Sequence, residues 1–389
     1  MNRVTVSNFP RYILVFILLC CFYPSYGQQY NFRSYSLEEG LPQSQVNALI
    51  KDQTGNLWVG TNGGGLCRFN GKEFQLFTEK HGLPDNLITS LHQDKSGLIW
   101  IGSTKGIAAY DGKTFKSYYE PAEDTNGFYY WIDSDDQNRV WALGVENQGV
   151  NRLLYLENGQ FQNLVDEYPE LSENNFITGG MIDQNQQLLI STKNGLFEFD
   201  GSTLKSSPLE DLFPEEYVVQ AGFMDSDNRL MLAAGIFPNI TDIYEYHQGN
   251  LTQIDPPPGY QLKQLRAPFE DSSGNLWLAI EDAGVMRITY DQDRNPSYME
   301  FNRSNGLPIN QINHILEDRE GNIWFGSNGG GLIKYSSEKF VALNLDDGLS
   351  SELIWSISQD LSGDYWFGTV DGALIKYDGK QITNIATDN

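Results

Sequence analysis

Four histidines (His81, His92, His247, His314) and three cysteines (Cys20, Cys21, Cys67) are the residues best suited to nucleophilic or metal chemistry in this chain. The histidines are scattered, and no cysteine stands near one at metal-ligand spacing. No serine occupies a Gly-x-Ser-x-Gly elbow. The pattern predicts no catalytic nucleophile, no metal site and no cofactor. Aspartate-rich stretches such as Asp133-Ser134-Asp135-Asp136 and Asp225-Ser226-Asp227-Asn228 superficially resemble calcium loops. They lack the glutamate that closes such a loop, and a similar stretch recurs throughout the chain, so they read as turns.

That recurrence sets the architecture. An aspartate followed by a Gly-containing turn, an apolar strand and a Gly-rich corner appears at Asp52, Asp94, Asp135, Asp183, Asp225, Asp271, Asp318 and Asp360, at spacings of 41 to 48 residues. Each unit parses into four strands: Asp-x-x-Gly reverses the chain after the first, and turns such as Asp111-Gly112 join the third to the fourth. Six residues after the register aspartate stand Trp58, Trp100, Trp141, Trp277, Trp324 and Trp366, replaced by Leu189 and Met231 in two units. A large apolar residue at one fixed place per unit is a packing position. Two residues further on, Gly60, Gly102, Ser191, Ala233, Ala279, Gly326 and Gly368 keep neighbouring backbones close, with Leu143 the exception. Four-stranded units at this period predict an all-β chain folded as a β-propeller.

Gly-Leu-Pro, a strand, Asp-x-x-Gly-x-(Leu/Ile)-Trp-(Val/Ile/Phe)-Gly-(Thr/Ser) and Gly-(Leu/Ile) together resemble the two-component regulator propeller repeat. Four units match closely, at 40–69, 82–110, 306–335 and 348–377, the last with Ser350 in place of proline. The resemblance implies the exported ligand-sensing region of a hybrid two-component sensor, with a small-molecule or oligosaccharide ligand, a histidine kinase region in a longer form, and a homodimer as partners. The longer relatives are histidine kinases, but these 389 residues show no kinase or other catalytic domain, so the chain itself is expected not to be an enzyme. Eight repeats allow two arrangements. Tyr30 to Ser36 could close onto the seventh unit, giving a seven-bladed propeller over 28–344 and an eighth repeat, 345–389, that starts a second propeller. Closure onto the eighth unit would give an eight-bladed ring.

In a propeller, the loops entering the first strand and those between strands two and three share the face around the channel mouth. Five residues before each register aspartate stand Asn47, Thr89, Tyr130, Thr178, Gln220, Arg266, Asn313 and Trp355, a mostly polar ring. The next position is mostly small but holds Trp131 and His314. Trp131 and Trp355 are the tryptophans outside the core register; each either fills space or offers a stacking face. The expected ligand site is Tyr129, Tyr130, Trp131, Gln220, Arg266, Asn313 and Trp355. Two other functions remain open. One is a protein-interaction scaffold; the other is a propeller glycosidase or lyase, for which Glu281, Asp282 and Asp371 are the face-located carboxylates.

Composition narrows the partners. With 26 Lys plus Arg against 51 Asp plus Glu, the net charge of -25 opposes nucleic acid and anionic lipid. Arg3 and Arg11 precede an apolar run, Tyr12 to Tyr23, followed by Ser25-Tyr26-Gly27. This predicts a signal peptide over 1–27 and a soluble periplasmic product whose one remaining cysteine, Cys67, has no disulfide partner.

Overall fold

The computed structural model describes residues 30–385 apart from 120–126, 147–148, 172–175, 184, 215, 237, 258–259, 261–262, 337–342, 344, 346–347, 352, 361 and 379–380. The expected leader, 1–27, lies outside the described residues. The chain divides into two units, Met1–Tyr335 and Ser336–Asn389.

The first unit holds seven four-stranded antiparallel sheets. Blades 1 to 6 are contiguous in sequence, with innermost strands Val46–Lys51, Ile88–Gln93, Gly127–Ser134, Ile177–Ile182, Tyr217–Met224 and Leu265–Glu270. Blade 7 takes three strands, Ile312–Glu317, Ile323–Ser327 and Leu332–Tyr335, from its own repeat. Its fourth is Phe32–Tyr35 from the other end of the chain, with Phe32 opposite Tyr335 and Tyr35 opposite Leu332. Blade 7 also packs against blade 1: Trp324 and Leu332 share a core cluster with Val46 and Leu49. The ring closes at seven blades, and the edge that Leu332–Tyr335 would otherwise expose is covered. The second unit contains one further four-stranded sheet, Ile354–Gln359, Tyr365–Thr369, Leu374–Tyr377 and Ile382–Ile385.

The register aspartate does two jobs in each consensus blade. In blade 1, Asp52 Oδ1 accepts from the backbone N–H of Thr54 and Asn56, both at 2.9 Å, and so holds the turn. Its Oδ2 accepts from Trp58 Nε1 at 2.8 Å. The same indole-to-carboxylate bond joins Trp100 to Asp94, Trp277 to Asp271 and Trp324 to Asp318, at 2.7–2.8 Å, and Trp366 to Asp360 in the second unit. A buried indole needs an acceptor, and the turn supplies one six residues away. Burial pushes the Asp52 carboxyl up, but hydrogen bonds from Thr54, Asn56 and Trp58 outweigh it and hold the carboxyl below the usual range. The register tryptophans of the first unit, Trp58, Trp100, Trp141, Trp277 and Trp324, are buried, as their fixed place predicts, while Trp366 is half-buried.

The small residue two places after the tryptophan is required by close approach. A Cβ on Gly60 would stand 2.6 Å from Ile88 Cγ2 of the next blade, and one on Gly326 would stand 2.8 Å from Val46 Cγ1. Cys67 is buried in the blade 1 core, where burial pushes its thiol up to about 12. Among the described residues no helix is long and apolar enough to cross a membrane.

Candidate functional site

The position five residues before the register aspartate is a β-bulge in every sheet. Register shifts fall between Val46 and Ala48, Ile88 and Ser90, Tyr129 and Trp131, Ile177 and Gly179, and Val219 and Ala221. Blades 6 and 7 shift at Arg266 and Asn313, and the second unit shifts at Trp355. A bulged residue leaves the ladder, and its side chain is free to reach sideways.

In five blades it reaches the next blade. Asn47 Nδ2 donates to the Ile88 carbonyl at 2.9 Å, and Thr89 Oγ1 to the Tyr129 carbonyl at 2.5 Å. Tyr130 Oη donates to the Ile177 carbonyl at 3.0 Å, and Thr178 Oγ1 to the Val219 carbonyl at 2.8 Å. Asn313 Nδ2 donates to the Val46 carbonyl at 2.9 Å and so ties blade 7 to blade 1. Each acceptor is the residue just before the neighbour's own bulge. The polar ring is therefore largely a set of rivets between blades.

Two bulge residues depart from this pattern. Gln220 makes no side-chain hydrogen bond among the described residues, and Arg266 turns within its own blade to pair with Glu281. Both ends of that pair are partly exposed, at 46% for Arg266 and 37% for Glu281. Asp282, at positive φ, accepts from Gln311 Nε2 at 2.8 Å and, through its carbonyl, from Asn310 Nδ2 at 3.1 Å. The mouth-side face beside blades 5 and 6 thus carries the polar groups that are not riveted.

The other residues expected at the site are placed differently. Tyr129 is fully buried and its hydroxyl donates to Glu146, which also accepts from Tyr119 Oη at 2.8 Å and Arg152 Nε at 2.9 Å. Burial, with the Glu146 contact second, pushes that phenol far up. Trp131 fills the gap between blades 3 and 4, where a Cβ on Gly180 would stand 3.2 Å from its ring, and it leans on the core around Leu153 and Ile190. Trp355 belongs to the second unit and is 78% exposed. The first unit's ring therefore has seven positions, with Gln220 and Arg266 as its unriveted members. Among the described residues no group of His, Cys, Asp and Glu gathers in a way that could hold a metal ion.

A cavity of about 580 Å³ opens on the same face between blades 4 and 5. It is walled by Lys193 and Asn194 from a strand-two-to-three corner, Glu210, Asp211 and Phe213 from the connection between the blades, and Tyr217 at the start of blade 5. Tyr217 Oη donates to Asp242 Oδ2 at 2.7 Å, a bond that, with some burial, pushes the phenol up to about 12. Val219, next to Gln220, lines the same cavity. Sequence reasoning did not find it. The available signal was the loss of the repeat's consensus in blades 4 and 5, where Leu189 and Met231 replace the tryptophan.

Seven four-stranded blades closed by the N-terminal strand define a β-propeller. It carries the two component regulator propeller repeat, whose family model matches residues 40–63, 82–105 and 306–329. The fourth unit read as close to the pattern, at Gly348, is not among the matched stretches. The extracellular domain of a hybrid two component system from B. thetaiotaomicron is similar in structure, with TM-score 0.60 and 21% identity over 92% of this chain and 49% of that one. The chain thus spans about half the length of that domain. A streptogramin B lyase has TM-score 0.57 at 15% identity over 79% of this chain and 98% of that one. The virginiamycin B lyase of Staphylococcus aureus has TM-score 0.54 at 14% identity, over 79% and 99% of the two chains. At these identities the likeness is one of fold. No curated protein sequence matches the chain significantly.

Proposed function

We propose that this chain is the exported, ligand-sensing propeller of a two-component system. It binds a small hydroxylated ligand or glycan fragment on its mouth-side face and passes a change of arrangement to a histidine kinase region of a longer form. The observation that carries this reading is the break in the rivet ring. Five bulge side chains are consumed by neighbouring blades, whereas Arg266 pairs within its own blade and Gln220 makes no side-chain hydrogen bond among the described residues, next to Val219 in the wall of a polar cavity with aromatic lining. Carboxylates, amides, Lys193 and the rings of Phe213 and Tyr217 suit a ligand with many hydroxyls and a flat apolar face. Of the seven residues expected at the site, Gln220 and Arg266 are retained as ligand contacts; Tyr130 and Asn313 bond neighbouring blades, and Tyr129 and Trp131 pack between blades.

The leader over 1–27 directs the chain to the periplasm, and the repeat at 345–389 is the first blade of a second propeller. Dimerisation completes the sensor: a ligand shifts that equilibrium only through its different affinities for the two arrangements. The role proposed is binding; of the face-located carboxylates, Glu281 pairs with Arg266, Asp282 accepts from Gln311, and Asp371 lies in the second unit.

An oligosaccharide array probed with the purified protein tests this reading. Wild type retains particular fragments, and Gln220→Ala, Arg266→Ala and Lys193→Ala each weaken retention by about tenfold or more. Retention unchanged in all three variants would remove the site. Polysaccharide cleavage abolished by Glu281→Gln would replace sensing with catalysis.

A further inference from the structure

A second cavity, of about 430 Å³, lies between blades 4 and 5 among the turns of the opposite face. Its position coincides with the place where blade 4 lacks its tryptophan. Leu189 lines it, together with Asp183, Glu198, Met224, Leu230 and Tyr246. The sibling blades show what normally fills this place. In blades 1, 6 and 7 the indole bonds its register aspartate and its cross-strand partner is a cation lying over the ring, whereas in blade 2 Trp100 bonds Asp94 and faces Ala109. Arg68 pairs with Trp58, Arg287 with Trp277 and Lys334 with Trp324, with cation-to-ring distances of 5.3 to 5.8 Å.

Where the tryptophan is lost, the partner's charge reverses: Leu189 faces Glu198, and Met231 faces Glu245. Blade 5 answers this from within. Arg229, four residues after the register aspartate, donates from Nε to Asp225 Oδ2 at 2.5 Å and lies 3.8 Å from Glu245. Blade 4 has Gln187 at that place. Asp183 Oδ2 accepts only a long 3.3 Å bond from Asn185, Glu198 Oε1 accepts from Ser207 Oγ at 2.6 Å, and neither carboxylate has an ion-pair partner among the described residues. Blade 4 therefore keeps the two carboxylates that clasp a guanidinium in blade 5, with an apolar floor and an open cavity where the guanidinium would be.

We propose that this cavity is a binding site for a planar organic cation, a guanidinium or amidinium carried on a short apolar body. Asp183 and Glu198 accept from the cation, as Asp225 and Glu245 do from Arg229, while Leu189, Met224 and Leu230 bury the apolar part. The chain's net charge of -25 raises the local concentration of such a ligand. The site lies on the face opposite the glycan cavity, and its fate does not depend on that reading.

Calorimetric titration of the full chain with benzamidine, and with the neutral benzamide as its control, tests the proposal. Benzamidine binds one site, and benzamide binds at least about tenfold more weakly. Two variants fill the cavity with the repeat's own solutions: Leu189→Trp restores the indole and Gln187→Arg supplies the internal guanidinium. Each abolishes benzamidine binding, and Glu198→Gln weakens it by about tenfold. Circular dichroism and an unfolding curve confirm that each variant is folded; because the two fill the cavity independently, either one suffices. Absence of benzamidine binding to wild type, equal binding of benzamide, or undiminished binding to a folded Leu189→Trp or Gln187→Arg protein overturns the proposal.

Discussion

Blades 1 and 7 and blades 4 and 5 are built on one plan and have diverged in opposite directions. In the first pair, the register aspartate holds its turn and a buried indole, a cation covers that indole, and the bulge residue is bonded to the next blade. In the second pair the indole is gone and the covering charge has changed sign, and the two cavities described above border these blades; cavities of about 400 and 390 Å³ also border blade 1, the second of them blade 7 as well. A repeat fold thus separates stability from function by position around the ring. Neighbouring blades with complete bonding hold the circle, and those released from the consensus can shape a site.

The largest expected effect comes from breaking the plan where it is complete. Asp94 is 2% exposed and accepts from Ser96, the Leu98 N–H and Trp100 Nε1. Asp94→Ala strands a buried indole and opens the turn, at a cost of about 3 kcal/mol or more in urea unfolding. Asp183→Ala, with no indole to strand, costs about 1 kcal/mol. Equal losses would dissolve the contrast between the two sets of blades.

Next is a pH effect that places a weak point inside a consensus blade. His314 follows the blade 7 bulge, its buried Nδ1 has no well-formed hydrogen bond among the described residues, and burial, only partly offset by the Ile315 backbone, lowers its pKa to about 4. A lowered histidine pKa favours the neutral folded form, so its contribution is complete above the unfolded value near 6.5. As pH falls from about 6.5 towards 4, the unfolded chain takes up the proton first and stability declines, by roughly 1–3 kcal/mol. His314→Leu flattens that stretch of the stability profile. The depressed Asp52 acts in a separate window: its contribution is present above about 3.9 and is lost as pH falls through its lower folded value.

A smaller effect separates riveted from released bulges. Asn313→Ala removes the bond that joins blade 7 to blade 1 and costs about 1–2 kcal/mol. Gln220→Ala, at the same register, changes stability by less than about 0.5 kcal/mol. Smallest of all is Arg266→Ala, whose partly exposed pair with Glu281 contributes about 0.5 kcal/mol or less to folding. A large loss in either of the last two would mark a rivet that the ring does not otherwise show.

The propeller was legible in the sequence because its signals are local. Asp-x-x-Gly turns, one tryptophan per unit and a small residue two places later are each set within about ten residues of chain, and the period did the rest. The ring position was also legible, but not its meaning. Asn47 and Thr178 read as polar groups at a channel mouth, whereas their partners are carbonyls about 40 residues away in the next blade. A bulge, which turns the side chain towards that neighbour, leaves no mark in hydrophobic alternation. Trp131 was read as either filler or platform. The structure seats it over Gly180, a pairing across blades that spacing alone does not reveal. The cavity of blade 4 was foreshadowed by Leu189, but its chemistry depended on Glu198 lying opposite, which only strand register supplies.

Ligand binding belongs to the mouth-side face of blades 4 to 6, away from blades 1, 2 and 7. Hydrogen exchange of the purified protein, with and without the oligosaccharide the array selects, tests it most directly. New protection is expected at 192–220 and 265–282, with the innermost strands of blades 1, 2 and 7 unchanged. Protection confined to blades 1, 2 and 7, or no selected oligosaccharide at all, would contradict it.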